Sequence, residues 1–90
     1  MKKYLIERHI PGVHKFTAEE YAGATKVSNE ALAKLAPRIQ WVESYVTQDQ
    51  TLCVYIADDE SVIHEHSKLS GFPANKITEV GTKIDPMTRA

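Results

Sequence analysis

A chain of 90 residues with 42% apolar residues and one cysteine has the size and composition of a single small globular domain, spanning residues 1–90. Its net charge of −1 argues against nucleic-acid binding, and one cysteine excludes an internal disulfide, as expected in the reducing cytoplasm. No apolar run approaches the ~20 residues of a membrane helix, and the charges near the N-terminus are unlike those of a signal peptide. We therefore expect a cytoplasmic protein that binds neither nucleic acid nor a membrane.

The first predicted element is a strand over residues 3–10, in which Tyr4 and Ile6 share one face. Leu5, Glu7 and His9 share the other face, because successive strand residues point to opposite sides. The strand stops at a proline–glycine pair, because proline has no backbone N–H to donate to a neighbouring strand and glycine tolerates a turn.

A helix is predicted next, with Thr17 as its N-cap and Glu20 three residues later. This spacing is typical of a capping box, in which each residue bonds the backbone of the other. Apolar residues at helical spacing continue to about Leu35, and Pro37 prevents further extension.

The central stretch, Ile39 to Ala57, predicts an antiparallel hairpin: two β-rich runs flank the polar turn at residues 48–50. Strict alternation gives it one aliphatic face and one face that mixes aromatic rings, a carboxylate and a thiol. The aliphatic face holds Val42, Val46, Leu52, Val54 and Ile56. The mixed face holds Trp41, Glu43, Tyr45, Cys53 and Tyr55.

A second helix is predicted from the acidic residues 58–60, which suit the positive end of a helix dipole. Gly71 is a natural residue to end this helix, and Pro73 lies just beyond it. The last predicted strand covers residues 75–84.

The order β-α-β-β-α-β predicts an α+β, ferredoxin-like fold: a four-stranded antiparallel sheet with two helices on one face. The aliphatic hairpin face, with Tyr4, Ile6, Val80 and Ile84, is expected under the helices. The mixed face, with Leu5, Glu7, His9, Ile77 and Glu79, is expected on the uncovered side. Such a face is too apolar to remain in water without a reason. The sequence therefore predicts a homodimer through the open sheet face, a dimeric α/β barrel.

Four candidate residues could create a chemical site inside that barrel. Glu7 and His9 lie two apart on one strand, and Glu43 and Cys53 are expected to point into the same space. Carboxylate, imidazole and thiolate suit nickel, copper or zinc. Spacing alone favours a buried polar cluster satisfied by its own hydrogen bonds over a metal site, and Cys53 is either a small hydrophobe or a thiol beside His9.

His66 shares the inward stripe of the second helix with Val62, whereas His64 is expected to face solvent. Two histidines at this spacing point to different sides of a helix and cannot chelate one ion. His66 is either a metal ligand or a histidine wedged between helix and sheet, bonded to a carbonyl or to Ser44.

Several blocks carry a family resemblance: Tyr4–Gly12, Trp41–Thr47, Thr51–Tyr55, Ala57–Glu60, Ile63–His66, Gly71–Ala74 and Ile84–Pro86. Together they resemble a small bacterial family of domains of unknown function that are described as nickel-binding or nickel-responsive. The resemblance implies a ferredoxin-like fold, a homodimeric α/β barrel, and nickel or another divalent transition metal as cofactor. The candidate metal ligands that lie in the matching blocks are Glu7, His9, Glu43, Tyr45, Cys53, Tyr55 and His66.

Three functions are consistent with the sequence. The first is a small dimeric protein that sequesters or senses a divalent metal, nickel first. The alternative is a dimeric α/β-barrel enzyme, monooxygenase- or isomerase-like, with a hydrophobic substrate pocket on the sheet face. There His9 or His66 would act as base and Tyr45 or Tyr55 as acid. A plain interaction module is the third. No nucleophile elbow or catalytic triad order is present, which argues against nucleophilic catalysis.

Overall fold

A computed structural model describes all 90 residues, and its element order confirms the predicted α+β, ferredoxin-like βαββαβ fold. A single turn of 3₁₀ helix (Val13–Lys15) follows the first strand. No helix combines the length and the apolar character that crossing a membrane requires. The remaining elements are β1 (Lys2–His9), α1 (Ala18–Leu35), β2 (Ile39–Val46), β3 (Gln50–Ala57), α2 (Glu60–Ser70) and β4 (Lys76–Glu79).

The helix ends form as the local sequence predicts. The backbone N–H of Glu20 donates to the Thr17 hydroxyl at 3.1 Å, and the Thr17 N–H donates to the Glu20 carboxylate at 3.0 Å, which completes the capping box. Asp59 caps α2 by accepting from two backbone N–H groups. Gly71 ends α2 with φ of 81°, a left-handed conformation that favours glycine.

All strands of the sheet are antiparallel, in the order β2-β3-β1-β4, so β1 and β3 are the central strands. Both helices pack on the face that carries Tyr4 and Ile6, here called the helix side. The opposite face is called the open face, and it carries Leu5, Glu7, His9, Glu43, Tyr45, Leu52, Val54 and Ile56. The core on the helix side consists of Tyr4, Ile6, Leu35, Ile39, Cys53, Tyr55, Ala57, Val62 and Ile63.

The predicted orientation of β3 is wrong. Cys53 lies opposite Ile6 in the register, and Tyr55 lies opposite Tyr4, so both point to the helix side and are buried. Leu52, Val54 and Ile56, expected under the helices, are on the open face and only partly buried. Because β3 is apolar on both faces, its alternation could not indicate which face the helices cover.

The prediction for β2 is wrong in part, because a β-bulge interrupts its pairing with β3. Trp41 lies opposite Tyr55 but Glu43 lies opposite Val54, so one extra residue, Val42, has no partner. A bulge changes the face on which the following residues point. Trp41 therefore packs against the helix-side core, whereas Glu43 and Tyr45 point to the open face.

The last strand is shorter than predicted, with four residues instead of the expected 75–84. Ile77 lies opposite Ile6 and packs against the core on the helix side, not on the open face. Ile84, expected in the core, is 76% exposed. β4 pairs only with β1, which begins at Lys2. The Val80 N–H donates to the Lys3 carbonyl, so the residues after Val80 extend past the end of β1 and have no strand to pair with.

Candidate functional site

Four of the seven candidate metal ligands lie on the open face: Glu7, His9, Glu43 and Tyr45. The Tyr45 hydroxyl donates a hydrogen bond of 2.9 Å to the Glu43 carboxylate. That bond and the carboxylate charge raise the pKa of the Tyr45 phenol. Glu7 lies 3.9 Å from the ammonium group of Lys76, and His9 is exposed. Carboxylate, imidazole and phenol donors therefore stand on one accessible surface.

These four residues form two separate pairs within one chain. Glu7 lies opposite Leu52, which in turn lies opposite Tyr45, so β3 separates the β1 pair from the β2 pair. Two strand spacings amount to about 10 Å. No group of three or more His, Cys, Asp or Glu residues lies close enough to hold one metal ion. Within one chain, this face therefore brings together no set of three such ligands.

The other three candidates, Cys53, Tyr55 and His66, lie on the helix side, which corrects two expectations. Cys53 does not share a space with Glu43, and it has no histidine base in His9, because His9 points to the opposite face of the sheet. Cys53 is 5% exposed, and its sulfur lies 3.4 Å from the Thr51 hydroxyl. It is packed as a small buried residue.

His66 is fully buried between α1, α2 and the sheet, as predicted for a histidine wedged there, but Ser44 is not among its polar partners. Its Nδ1 lies 3.4 Å from Nη2 of Arg8, and its Nε2 lies 3.2 Å from the Ser28 hydroxyl. Because a guanidinium only donates, Nδ1 must accept and the ring proton must be on Nε2. Burial and then the Arg8 charge lower the pKa of His66 to about 4, against a hydrogen bond with the Ser28 backbone that raises it. Both ring nitrogens are thus occupied inside the protein.

Arg8 is the functional candidate that sequence reasoning missed. It is 3% exposed, yet it has no carboxylate partner. The only signal for it was its position in β1, where it shares the inward face with Tyr4 and Ile6. Its Nη1 donates to the carbonyls of Pro73 and Phe72, at 2.8 and 3.3 Å, and to the Ser67 hydroxyl at 3.2 Å.

The second guanidinium nitrogen of Arg8 connects the sheet to His66. Nη2 donates to the Tyr55 hydroxyl at 3.4 Å, and the guanidinium lies 5.7 Å from the centre of the Tyr55 ring. Burial raises the pKa of the Tyr55 phenol, although the Arg8 charge opposes this effect. The result is one buried network from α1 through His66 and Arg8 to β3.

A cleft of about 540 Å³ opens between α1 and the helix side of the sheet, next to this network. We call it the α1 cleft. The expected substrate pocket on the open face is therefore wrong in position. Trp41 and Tyr55 line the α1 cleft on the helix side, and Tyr45 does not. The Trp41 Nε1 donates to Ser44 at 2.8 Å and so holds the indole at the wall. Apolar and aromatic side chains dominate the lining, among them Val13, Phe16, Tyr21, Trp41, Val46 and Phe72.

Comparison with known proteins supports the fold and gives the family. The chain is similar to the crystal structure of SCO4226 from Streptomyces coelicolor A3(2), with a TM-score of 0.74 and 10% identity, over 91% of this chain and 99% of that chain. At this identity the likeness concerns the fold alone. No curated protein matches the sequence. Residues 4–80 match the family described as nickel responsive protein SCO4226-like. Since this match spans most of the chain, the protein belongs to the SCO4226-like family of nickel-responsive proteins.

Proposed function

We propose that the protein is a homodimer that binds a divalent transition metal, nickel first, and thereby sequesters or senses it in the cytoplasm. The family description, nickel responsive, supports the identity of the metal. The observation that carries the proposal is the open face, where Glu7 and His9 stand beside apolar residues that no helix covers. The metal would bind where two open faces meet.

Dimerisation is supported by the apolar character of the open face. Leu5 is 41% exposed and Tyr45 is 55% exposed, and Leu52, Val54 and Ile56 between them are only half-buried. A contiguous apolar surface of this kind marks an interaction site in soluble proteins. Two sheets pack face to face about 10 Å apart, so a second copy would remove these side chains from water and create a shared interior.

The ligand set follows from two-fold symmetry. Glu7 and His9 are two residues apart on one face of β1, with Cα atoms about 7 Å apart, so both side chains can reach one ion. β1 is a central strand of the sheet, close to where a two-fold axis through paired sheets would pass. Two copies would then supply two carboxylates and two imidazoles. Nitrogen and oxygen ligands of this kind suit nickel, copper and zinc.

The test compares two histidine variants of the tag-free protein. Light scattering gives the mass in solution, and calorimetry with nickel chloride gives affinity and stoichiometry. His9→Ala should lose most of the binding, whereas His64→Ala, an exposed histidine on α2, should retain it. Binding should weaken as pH falls, because imidazole binds metal only when neutral. A monomer at micromolar concentration with nickel present, or equal heats for both variants, would refute the proposal.

A further inference from the structure

We propose that the α1 cleft is a second binding site, separate from the open face, for a small organic monocarboxylate with an aryl or alkyl body. The carboxylate would lie against Arg8 at the floor of the cleft, and the apolar body would lie along the walls. This site is within one protomer and does not depend on metal binding or dimerisation.

The charge of the cleft is the first argument. Among its lining residues only Arg8 carries a permanent charge, His9 is the other basic residue, and none is Asp, Glu or Lys. Arg8 is buried, and all its hydrogen-bond partners are neutral. The C-terminal end of α2 contributes partial negative charge through nearby carbonyls, but no full anion is present. A buried cation without a counter-ion is costly, so a monoanion in the cleft would be stabilised.

The second argument is that the floor of the cleft is rich in unused donors. All hydrogen bonds of Arg8 come from its two terminal nitrogens, which leaves Nε–H without a partner. No fully buried side-chain nitrogen lacks a partner, so Nε retains accessible surface. Ser28 accepts from His66, and Tyr55 accepts from Arg8. Ser28 can donate its own proton to the Tyr55 oxygen, which leaves the Tyr55 hydroxyl proton available. These groups need an acceptor, and a carboxylate supplies two oxygens.

The walls define the rest of the ligand. Side chains from the 3₁₀ turn, α1, β2 and the segment after α2 form a mostly apolar lining around the floor. A volume of about 540 Å³ lies within the range of small-molecule sites, roughly 300–1,000 Å³. Aromatic walls with one charged group at the floor are suited to an amphipathic acid.

The experiment uses a matched pair of probes, 4-phenylbutyrate and 4-phenylbutanol, which differ only in the head group. Each is titrated into the full-length protein by calorimetry, and amide shifts are followed by NMR. We expect the acid to bind at least about tenfold more tightly than the alcohol, because hydrogen bonds to a charged group are the stronger ones. Amides of Ser28 and Thr51 should shift, and that of Glu60, at the end of α2 away from the cleft, should not.

Two variants of α1 locate the site. Ala24→Phe should fill the cleft, which Ala24 lines, and abolish acid binding; Ala22→Phe, exposed on the same helix and outside the cleft, should leave it unchanged. Arg8→Met should remove the preference for the acid over the alcohol. If this variant does not fold, the comparison of the two probes and the two α1 variants still tests the proposal. The proposal is wrong if neither probe binds at millimolar concentration, if both bind equally, or if Ala24→Phe retains binding.

Discussion

His66 should make the folded protein less stable as the pH falls from about 6.5 to about 4. Its ring is fully buried, and it faces the Arg8 guanidinium from β1, the Tyr55 ring from β3 and the Ser28 hydroxyl from α1. No carboxylate contacts it. A second proton on the ring would place an N–H against the Arg8 donor, so the folded state resists protonation.

The size of the effect follows from the two pKa values. The pKa of His66 is about 4 in the folded protein, compared with 6.5 for an unperturbed histidine. Above pH 6.5 both states are neutral and the full stability is present. Between 6.5 and 4 the unfolded chain binds a proton that the folded chain does not, so the free energy of unfolding falls by up to about 3 kcal/mol. That is a large part of the 5–15 kcal/mol typical of small proteins.

The assay is urea unfolding at a fixed protein concentration, at several pH values from 7 to 4, followed by Trp41 fluorescence and circular dichroism. His66→Asn keeps an acceptor near Arg8 but cannot titrate, so its stability should be lower at pH 7 and nearly constant across this range. His64→Asn removes an exposed histidine from the same helix and should follow the wild type. An equal loss of stability in His66→Asn, or a constant wild type, would contradict the assignment of a buried neutral imidazole.

Two further predictions concern the two faces of the sheet. Val54→Lys places a charge at the centre of the open face and should convert the proposed dimer to a monomer in light scattering. The control variant Val27→Lys, on the exposed side of α1, should remain dimeric. A Val54→Lys variant that is still a dimer would exclude this interface. Ile6→Ala removes a fully buried side chain and should lower the free energy of unfolding by about 2–5 kcal/mol. Leu5→Ala, one residue away and 41% exposed, should lower protomer stability by well under half of that. Similar losses for the two variants in chemical denaturation would mean that β1 does not have the orientation described here.

The sequence by itself determined the elements and their order. The capping box at Thr17, the acidic cap at Asp59 and the glycine at Gly71 act within a few residues, so the helix boundaries could be predicted locally. The positions of Tyr4 and Ile6 two residues apart in β1 also predicted the correct inward face, although Arg8 shares it. The order of two helices among four strands then left the ferredoxin-like arrangement as the simplest one.

Only the tertiary structure decided which side of β2 and β3 holds the chemistry. β3 is apolar on both faces, so its orientation depends on its pairing with β1. In β2, the bulge after Trp41 places the Glu43 side chain on the opposite face of the sheet from the Trp41 indole. The seven candidate ligands consequently lie on two faces instead of one. The buried network of Arg8, His66 and Ser28 joins residues from three elements that are far apart in the chain, and no local pattern encodes such a contact. Its members come together only because both helices pack over the end of β1.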